Sequence, residues 1–323
     1  MFAHCNRSLV SVAFVLAVGI GTTGAGCDHA RPKAWVEESQ LIELSAADIS
    51  ALRAITDNGR VRVRGTNAAS NAIEATAHMR AGGASDEDAQ AALDAIEIVT
   101  TVEDNGVQVL RWDWPEDRPR DWAAEVSFEV TVPAHLSVTI ETENGEIDVL
   151  GVAGDLRLAS ANGRITLDNE AALNIGEPDI QAETQNGEIR ARCQASRLEL
   201  TTQNGRIDAR TSAEKLHLQS SNGMVTVGLT DAGPVGGSIQ TENGSVRLEI
   251  ADGVSTELEC RTMNGQIRSK IELADQDRKR LYLRGRLGSG GGELKLETSN
   301  GSIEIVPLDA ATPNESDESE VSL

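Results

Sequence analysis

Aromatic side chains are almost missing from this chain: they make up 2% of 323 residues, with one tyrosine, three phenylalanines and four tryptophans. A globular core of this length ordinarily buries several large rings, each removing roughly 150 to 250 Å² from water. The scarcity points instead to small aliphatic residues in a core one layer thick. Cysteine is also sparse, and four of them make no disulfide framework. Basic residues number 29 against 51 acidic ones, a net charge of -22. That excludes a surface that tracks nucleic-acid phosphates and disfavours docking on anionic membranes. The five histidines, His4, His29, His78, His135 and His217, stand at no metal-ligand spacing, and there is no CxxC or HxxxH. Zinc and haem motifs are therefore absent, and no cofactor is expected.

Long apolar runs are missing too, except near the start. Leu9 to Ile20 is uncharged, follows Arg7 and is too short to span a bilayer, so residues 1–27 read as a secretion signal. It ends in Gly24-Ala25-Gly26-Cys27, which resembles the lipoprotein box of small residues before a cysteine that is lipidated after cleavage. Gly24 stands where that box usually has an aliphatic residue. Cys27 is thus the candidate lipidation site. Cleavage by an ordinary signal peptidase is the other reading.

What the chain has in abundance is an internal repeat. Asn-Gly pairs recur at Asn144, Asn162, Asn186, Asn204, Asn222, Asn243, Asn264 and Asn300, at intervals of 18, 24, 18, 18, 21, 21 and 36. The last interval reads as two eighteens, with one corner lost between Tyr282 and Gly292. Four residues before each Asn stands Leu or Ile, except for Ala182 and Cys260. Two before it is Thr or Ser, and three after it Ile or Val. This alternation has the period of a half-buried strand. Its parity flips at the Asn-Gly pair, so the chain bends there, with glycine expected to supply backbone freedom.

Two all-β architectures share this parity. One is an antiparallel β-meander in which each Asn-Gly is a hairpin turn. The other is a β-solenoid of about eighteen-residue coils with Asn-Gly corners, in which like residues stack about 4.8 Å apart. In-register Thr and Asn favour the solenoid, because coils stacked this way form side-chain ladders. So does the sequence Glu146, Arg164, Glu188, Arg206 at one exposed offset, which sets opposite charges side by side on adjacent coils.

The expected organisation is a signal at 1–27, a tether at 28–40, an irregular N-terminal cap at 41–133, solenoid repeats at 134–308 and a disordered acidic tail at 309–323. The cap carries weaker Asn-Gly copies at Asn58 and Asn105. It also holds one short helix over Ser85 to Ile96, with Ser85 and Asp88 as capping pair and Leu93 and Ile96 as apolar stripe. Trp112, Trp114 and Trp122 read as the cap's own small core, with a sugar-stacking platform as the alternative. Cys193 and Cys260 lie four corners apart, roughly 15 to 20 Å, beyond the about 7 Å limit of a disulfide. They are expected to be free thiols, with Cys260 filling the core.

The early DNGRVRVRG, the segment TVPAHLSVTIETENGEIDVLGVAGDL at 131–156, the TxNGxI repeats and the ending GGGELKLETSNGSIEI at 290–305 together resemble the bacterial putative adhesin family. That family is a domain of unknown function made of β-strand repeats in envelope proteins. The resemblance covers about Leu41 to Val306. It implies a β-solenoid with an envelope role and brings no catalytic residues.

Catalysis needs convergent groups. His217 falls on an outward strand position and reads as solvated. Glu141 and Glu183 share one offset with Ala159 between them, while Glu143 and Glu242 share another, five coils apart. Neither pair clearly meets the roughly 5 to 9.5 Å of glycosidase carboxylates. Gly288 to Gly292 lacks the lysine and helix of a phosphate loop. The expectation is a non-enzymatic, exported envelope module, held at a membrane through Cys27, with an envelope glycan or protein as partner. A regulatory protein contacting a membrane sensor and a polysaccharide-acting enzyme on the same scaffold are the alternatives.

Overall fold

The computed structural model describes residues 32–67, 72–170, 177–231 and 233–308. The signal, Cys27 and the acidic tail at 309–323 lie outside the described residues. Among the described residues there is one helix, Asp86–Asp94, and the strands fall into two long sheets of twelve and fourteen strands. The alternating sequence explains each repeat. Leu156 and Leu158 are buried on strand Leu156–Ser160, the chain turns at Asn162-Gly163, and Ile165 and Leu167 are buried on Ile165–Asp168. These two strands belong to different sheets. Leu156–Ser160 pairs in parallel with Ser137–Thr142 and Asp179–Thr184, while Ile165–Asp168 pairs in parallel with Ile147–Leu150 and Ile189–Cys193.

The repeats are therefore not an antiparallel meander. A hairpin would pair the two apolar segments edge to edge in one sheet, whereas here the two sheets close their apolar faces on each other. Like residues stack in register, Ile165 on Ile147 and Ile189, and Leu158 on Ile140 and Ala182. The 21-residue interval from Asn222 to Asn243 keeps this strand register, so its extra residues lie in the return connection, which holds the short strand Gly233–Pro234.

At the corners the Asn side chains form a continuous amide ladder. Asn162 Nδ2 donates to Asn144 Oδ1 at 2.8 Å, Asn186 to Asn162 at 2.8 Å, Asn204 to Asn186 at 2.8 Å and Asn222 to Asn204 at 2.9 Å. The Ser or Thr two residues before each Asn is buried, and its hydroxyl donates to a corner glycine carbonyl on the neighbouring coil: Thr184 to Gly163 at 3.0 Å, Thr202 to Gly187 at 3.1 Å, Ser220 to Gly205 at 3.0 Å. Thr142 Oγ1 is the exception, buried without a partner among the described residues.

The glycines have a different cause from the one expected. The repeat corner glycines from Gly145 to Gly301 are not among those with positive φ. What each requires is space: a Cβ on Gly205 would stand 1.8 Å from Gly187 O, and one on Gly163 1.8 Å from Gly145 O.

The 36-residue interval is not two coils with a lost corner. Strand Glu293–Thr298 lies between Gly236–Thr241 and Val254–Thr262, and Ile303–Pro307 lies between Val246–Ile250 and Ile267–Ser269. The ladder follows suit: Asn300 donates to Asn243 at 2.9 Å and Asn264 to Asn300 at 3.0 Å. The last coil in sequence is thus the second to last in space. After the coil of Asn243 the chain skips one position and builds the coil of Asn264. It then makes a hairpin of Ala274–Lys279 and Tyr282–Leu287 and returns to fill the gap.

The N-terminal part departs from expectation in three ways. Ala51–Thr56 and Val61–Thr66 pair in register with Ser137–Thr142 and Ile147–Leu150, and Asn144 donates to Asn58 at 2.9 Å. The stack therefore begins at Ala51, and not at 134. Asn105-Gly106 is no corner. It turns the antiparallel hairpin of Glu97–Val102 and Val107–Asp113, and Gly106 has φ +80°. Finally, the segment expected as a tether is a strand from Ala34, since Ala34–Ser45 pairs antiparallel with Ala72–Gly83 and covers an edge that would otherwise stay open. The helix matches its expected place. Ser85 Oγ accepts from Asp88 N at 3.2 Å, and Ala89, Ala92 and Leu93 are buried.

Candidate functional site

The residues suspected of chemistry do not assemble into a catalytic group. Glu141 and Glu183 flank Ala159 on the outer face of the fourteen-stranded sheet, two strands apart. Glu141 is held by Arg53, with Nε to Oε1 at 3.0 Å and Nη2 to Oε2 at 3.2 Å. Glu143 borders a shallow trough with Glu141 and Glu183, while Glu242 lines a separate cleft. His217 is exposed and its Nδ1 stands 2.8 Å from Ser238 Oγ. Gly288 to Gly292 forms the turn before Glu293, with φ of +59° at Gly288 and +76° at Gly290. Among the described residues no group of His, Cys, Asp and Glu could hold a metal ion, and no helix is long and apolar enough to cross a membrane.

The tryptophans pack as a cluster. Trp112 and Trp114 are 6.0 Å apart, Trp114 stacks on Trp122 at 6.1 Å, and Arg118 lies 4.6 Å over Trp114. Trp112 Nε1 donates to Thr56 Oγ1 at 3.2 Å, and all three rings pack partly buried against the core. Cys193 lies in the twelve-stranded sheet and Cys260 in the other. Both are buried free thiols, and burial pushes each pKa up to about 12.

Charge alternation appears on the outer face of the twelve-stranded sheet. Arg60 pairs with Glu146 on the next coil, and Arg164 Nε lies 3.6 Å from Glu188 Oε2. Arg247 bridges Glu249 and, on the inserted coil, Glu304, both at 2.8 Å. The half-buried Asp208 has its pKa raised by burial, opposed by Arg190 and Arg206.

The feature that sequence reasoning missed is a cleft of about 470 Å³ on the outer face of the fourteen-stranded sheet, near the inserted coil. Gln219, Gln240, Glu297, Arg261 and Tyr282 stand in one row across five adjacent strands. Strand spacing makes that row roughly 20 Å long. Met263, at the corner, is 69% exposed, more than any other large apolar residue described. Arg261 and Lys279 each approach the Tyr282 ring at 5.6 Å. One signal for this cleft was present: Tyr282 is the chain's only tyrosine and falls where the repeat lapses.

The model of the Toastrack DUF4097 family matches residues 122–306. A solved putative adhesin from Bacteroides fragilis is similar at 13% identity and a TM-score of 0.44, over 84% of this chain and 97% of that one. One from Parabacteroides distasonis is 9% identical with a TM-score of 0.36, over 82% and 96%. A putative cell adhesion protein from Clostridium sporogenes is 10% identical with a TM-score of 0.27, over 84% and 99%. Likeness this distant carries no argument about ligand or role. Comparison with curated proteins gives no match.

Proposed function

The chain belongs to the Toastrack DUF4097 family, and from that premise we propose that it is a non-catalytic binding or structural module of the bacterial cell envelope. In this reading it is a β-solenoid of about eighteen-residue coils turned at Asn-Gly corners, exported by residues 1–27 and held at a membrane surface by a lipid on Cys27. Its exposed rows meet an envelope glycan or protein. The observation that carries the reading is the continuous stack itself. Asn and Thr side chains are committed to holding coil on coil, and the outer faces are left as long, flat, polar surfaces suited to extended contact.

The test is in two parts. Purified protein is expected to co-sediment with envelope fractions of its own species and to turn over no envelope polysaccharide; failure to sediment sinks the binding role. Mass spectrometry of the mature N-terminus is expected to find an acylated Cys27. Cys27→Ser is expected to release the protein from the membrane fraction, and a mature chain that begins elsewhere removes the anchor.

A further inference from the structure

We infer that the cleft bounded by Tyr282 and Met263 is a saccharide-binding subsite that takes a neutral, hydroxyl-rich chain laid across the strands. The inference rests on the binding reading above and names the ligand class of one site. Its first support is the distribution of rings. All four tryptophans precede residue 123, the only phenylalanine described, Phe128, is fully buried, and from residue 134 to 308 the single aromatic side chain is Tyr282. That ring is half-buried in the cleft, beside the most exposed large apolar residue described. A scaffold built throughout of small aliphatics has placed its one tyrosine on its outer surface, where the core gains nothing from it.

The second support is what the cleft offers and withholds. Its floor is Thr241, Thr298 and Thr262, whose hydroxyls are already given to Gly223, Gly244 and Gly301 at 2.9, 2.8 and 2.9 Å. The strands beneath are paired on both sides, so no backbone edge is free to accept a peptide as an added strand. Recognition must come from side chains. Gln219, Gln240 and Glu297 supply amide donors and carbonyl or carboxylate acceptors in one line, and Gln240 Nε2 lies 3.4 Å from Glu297 Oε2. Paired acceptors and donors in a row match vicinal hydroxyls, and the Tyr282 ring beside them meets the C–H face of a sugar once the exposed Arg261 or Lys279 side chain over it swings aside.

Charge narrows the class further. Arg261 pairs with Glu259 and Lys279 with Asp277, while Glu242 and Glu297 line the cleft, so the cleft disfavours an anionic chain. The row of Gln219, Gln240 and Glu297 runs along the cleft, which disfavours an acyl chain.

The experiment is calorimetric titration of the purified full chain with cellohexaose, maltohexaose and chitohexaose, beside phosphatidylcholine vesicles and an unstructured peptide of mixed composition. At least one oligosaccharide is expected to bind while the vesicles and peptide do not. Tyr282→Ala is expected to weaken that binding about tenfold, the loss of one stacked ring, whereas Tyr282→Phe keeps it. Gln240→Ala weakens it with no change in melting temperature. Binding of the vesicles or the peptide at the cleft, or of none of the sugars, overturns the assignment, as does sugar binding that survives Tyr282→Ala. Envelope sedimentation separates the two claims. If wild type and Tyr282→Ala sediment equally, the module binds by another face and only this subsite falls.

Discussion

At the scale of single residues, the corner has three separate jobs. Asn holds the amide ladder, the buried Thr or Ser satisfies a glycine carbonyl on the neighbouring coil, and Gly leaves room for that carbonyl. Thr202→Val keeps the shape but leaves Gly187 O without its 3.1 Å donor. An unsatisfied buried group costs about 1 to 3 kcal/mol, so urea unfolding is expected to show a loss in that range. Gly205→Ala should lose more than about 3 kcal/mol, because a Cβ 1.8 Å from backbone cannot be relieved by a side-chain rotation. If the alanine is tolerated, close approach is not why glycine is there.

The pattern of positions was legible in the sequence, but the reason for the glycine was not. Periodicity reports that a residue recurs, and says nothing of whether torsion or a neighbour's carbonyl demands it. The buried thiols behave likewise. Cys193 and Cys260 ionise near 9.0 when unfolded and near 12 when folded, because burial disfavours the thiolate. The unfolded state then loses protons first, so stability is expected to be intact below pH 9 and to fall as the pH rises from 9 towards 12. Both thiols should resist a thiol reagent at pH 8 until the chain is unfolded. Prompt labelling of the native protein would contradict their burial.

At the scale of elements, the informative case is the coil out of order. The sequence shows two Asn-Gly pairs 36 residues apart, and an even multiple of eighteen invites the idea of a degenerate coil. Spacing along the chain carries no information about which slot a coil occupies, so the insertion was not legible. The same limit applies to Asn58, whose coil pairs directly with one 86 residues later, and to Ala34–Ser45, where only the uncovered edge of Ala72–Gly83 explains a strand. The helix was legible because its cap is local, whereas of the expected stripe only Leu93 is buried on it and Ile96 lies beyond its end.

Insertion has an energetic consequence. Leu294, Leu296, Ile303 and Ile305 are fully buried, and at about 1.5 to 3 kcal/mol for each side chain their removal forfeits roughly 6 to 12 kcal/mol, comparable with the whole stability of a domain. It also opens four strand edges at once, two on the coil of Asn243 and two on the coil of Asn264. A chain ending at Leu287 should therefore lose the Asn264 coil and the hairpin behind it as well. Amide exchange at Val254 to Leu287 is expected to become fast, while Ser137 to Leu229 stays protected. Retained protection over 254–287 would show that the coil stands without its neighbour.

At the scale of the whole molecule, the stack must hold a net charge of -22 together. Two electrostatic effects oppose each other. Cross-coil pairs such as Arg53–Glu141 and Arg247–Glu304 favour the folded state, but their side chains are one-third exposed or more, and such pairs contribute about 0 to 1 kcal/mol each. Against them stands the repulsion of the chain's acidic excess, 51 against 29 over all its residues, in a stack where each coil touches only its neighbours. Both weaken with salt, since the screening length falls from about 30 Å at 0.01 M to about 8 Å at 0.15 M. The paired charges lie within 4 Å of each other and are screened little over that range, whereas repulsion between coils several spacings apart is screened almost completely. The balance favours the second effect, so the melting temperature is expected to rise between 0.01 and 0.15 M sodium chloride. A fall would mean that the cross-coil ion pairs outweigh the repulsion of the acidic excess.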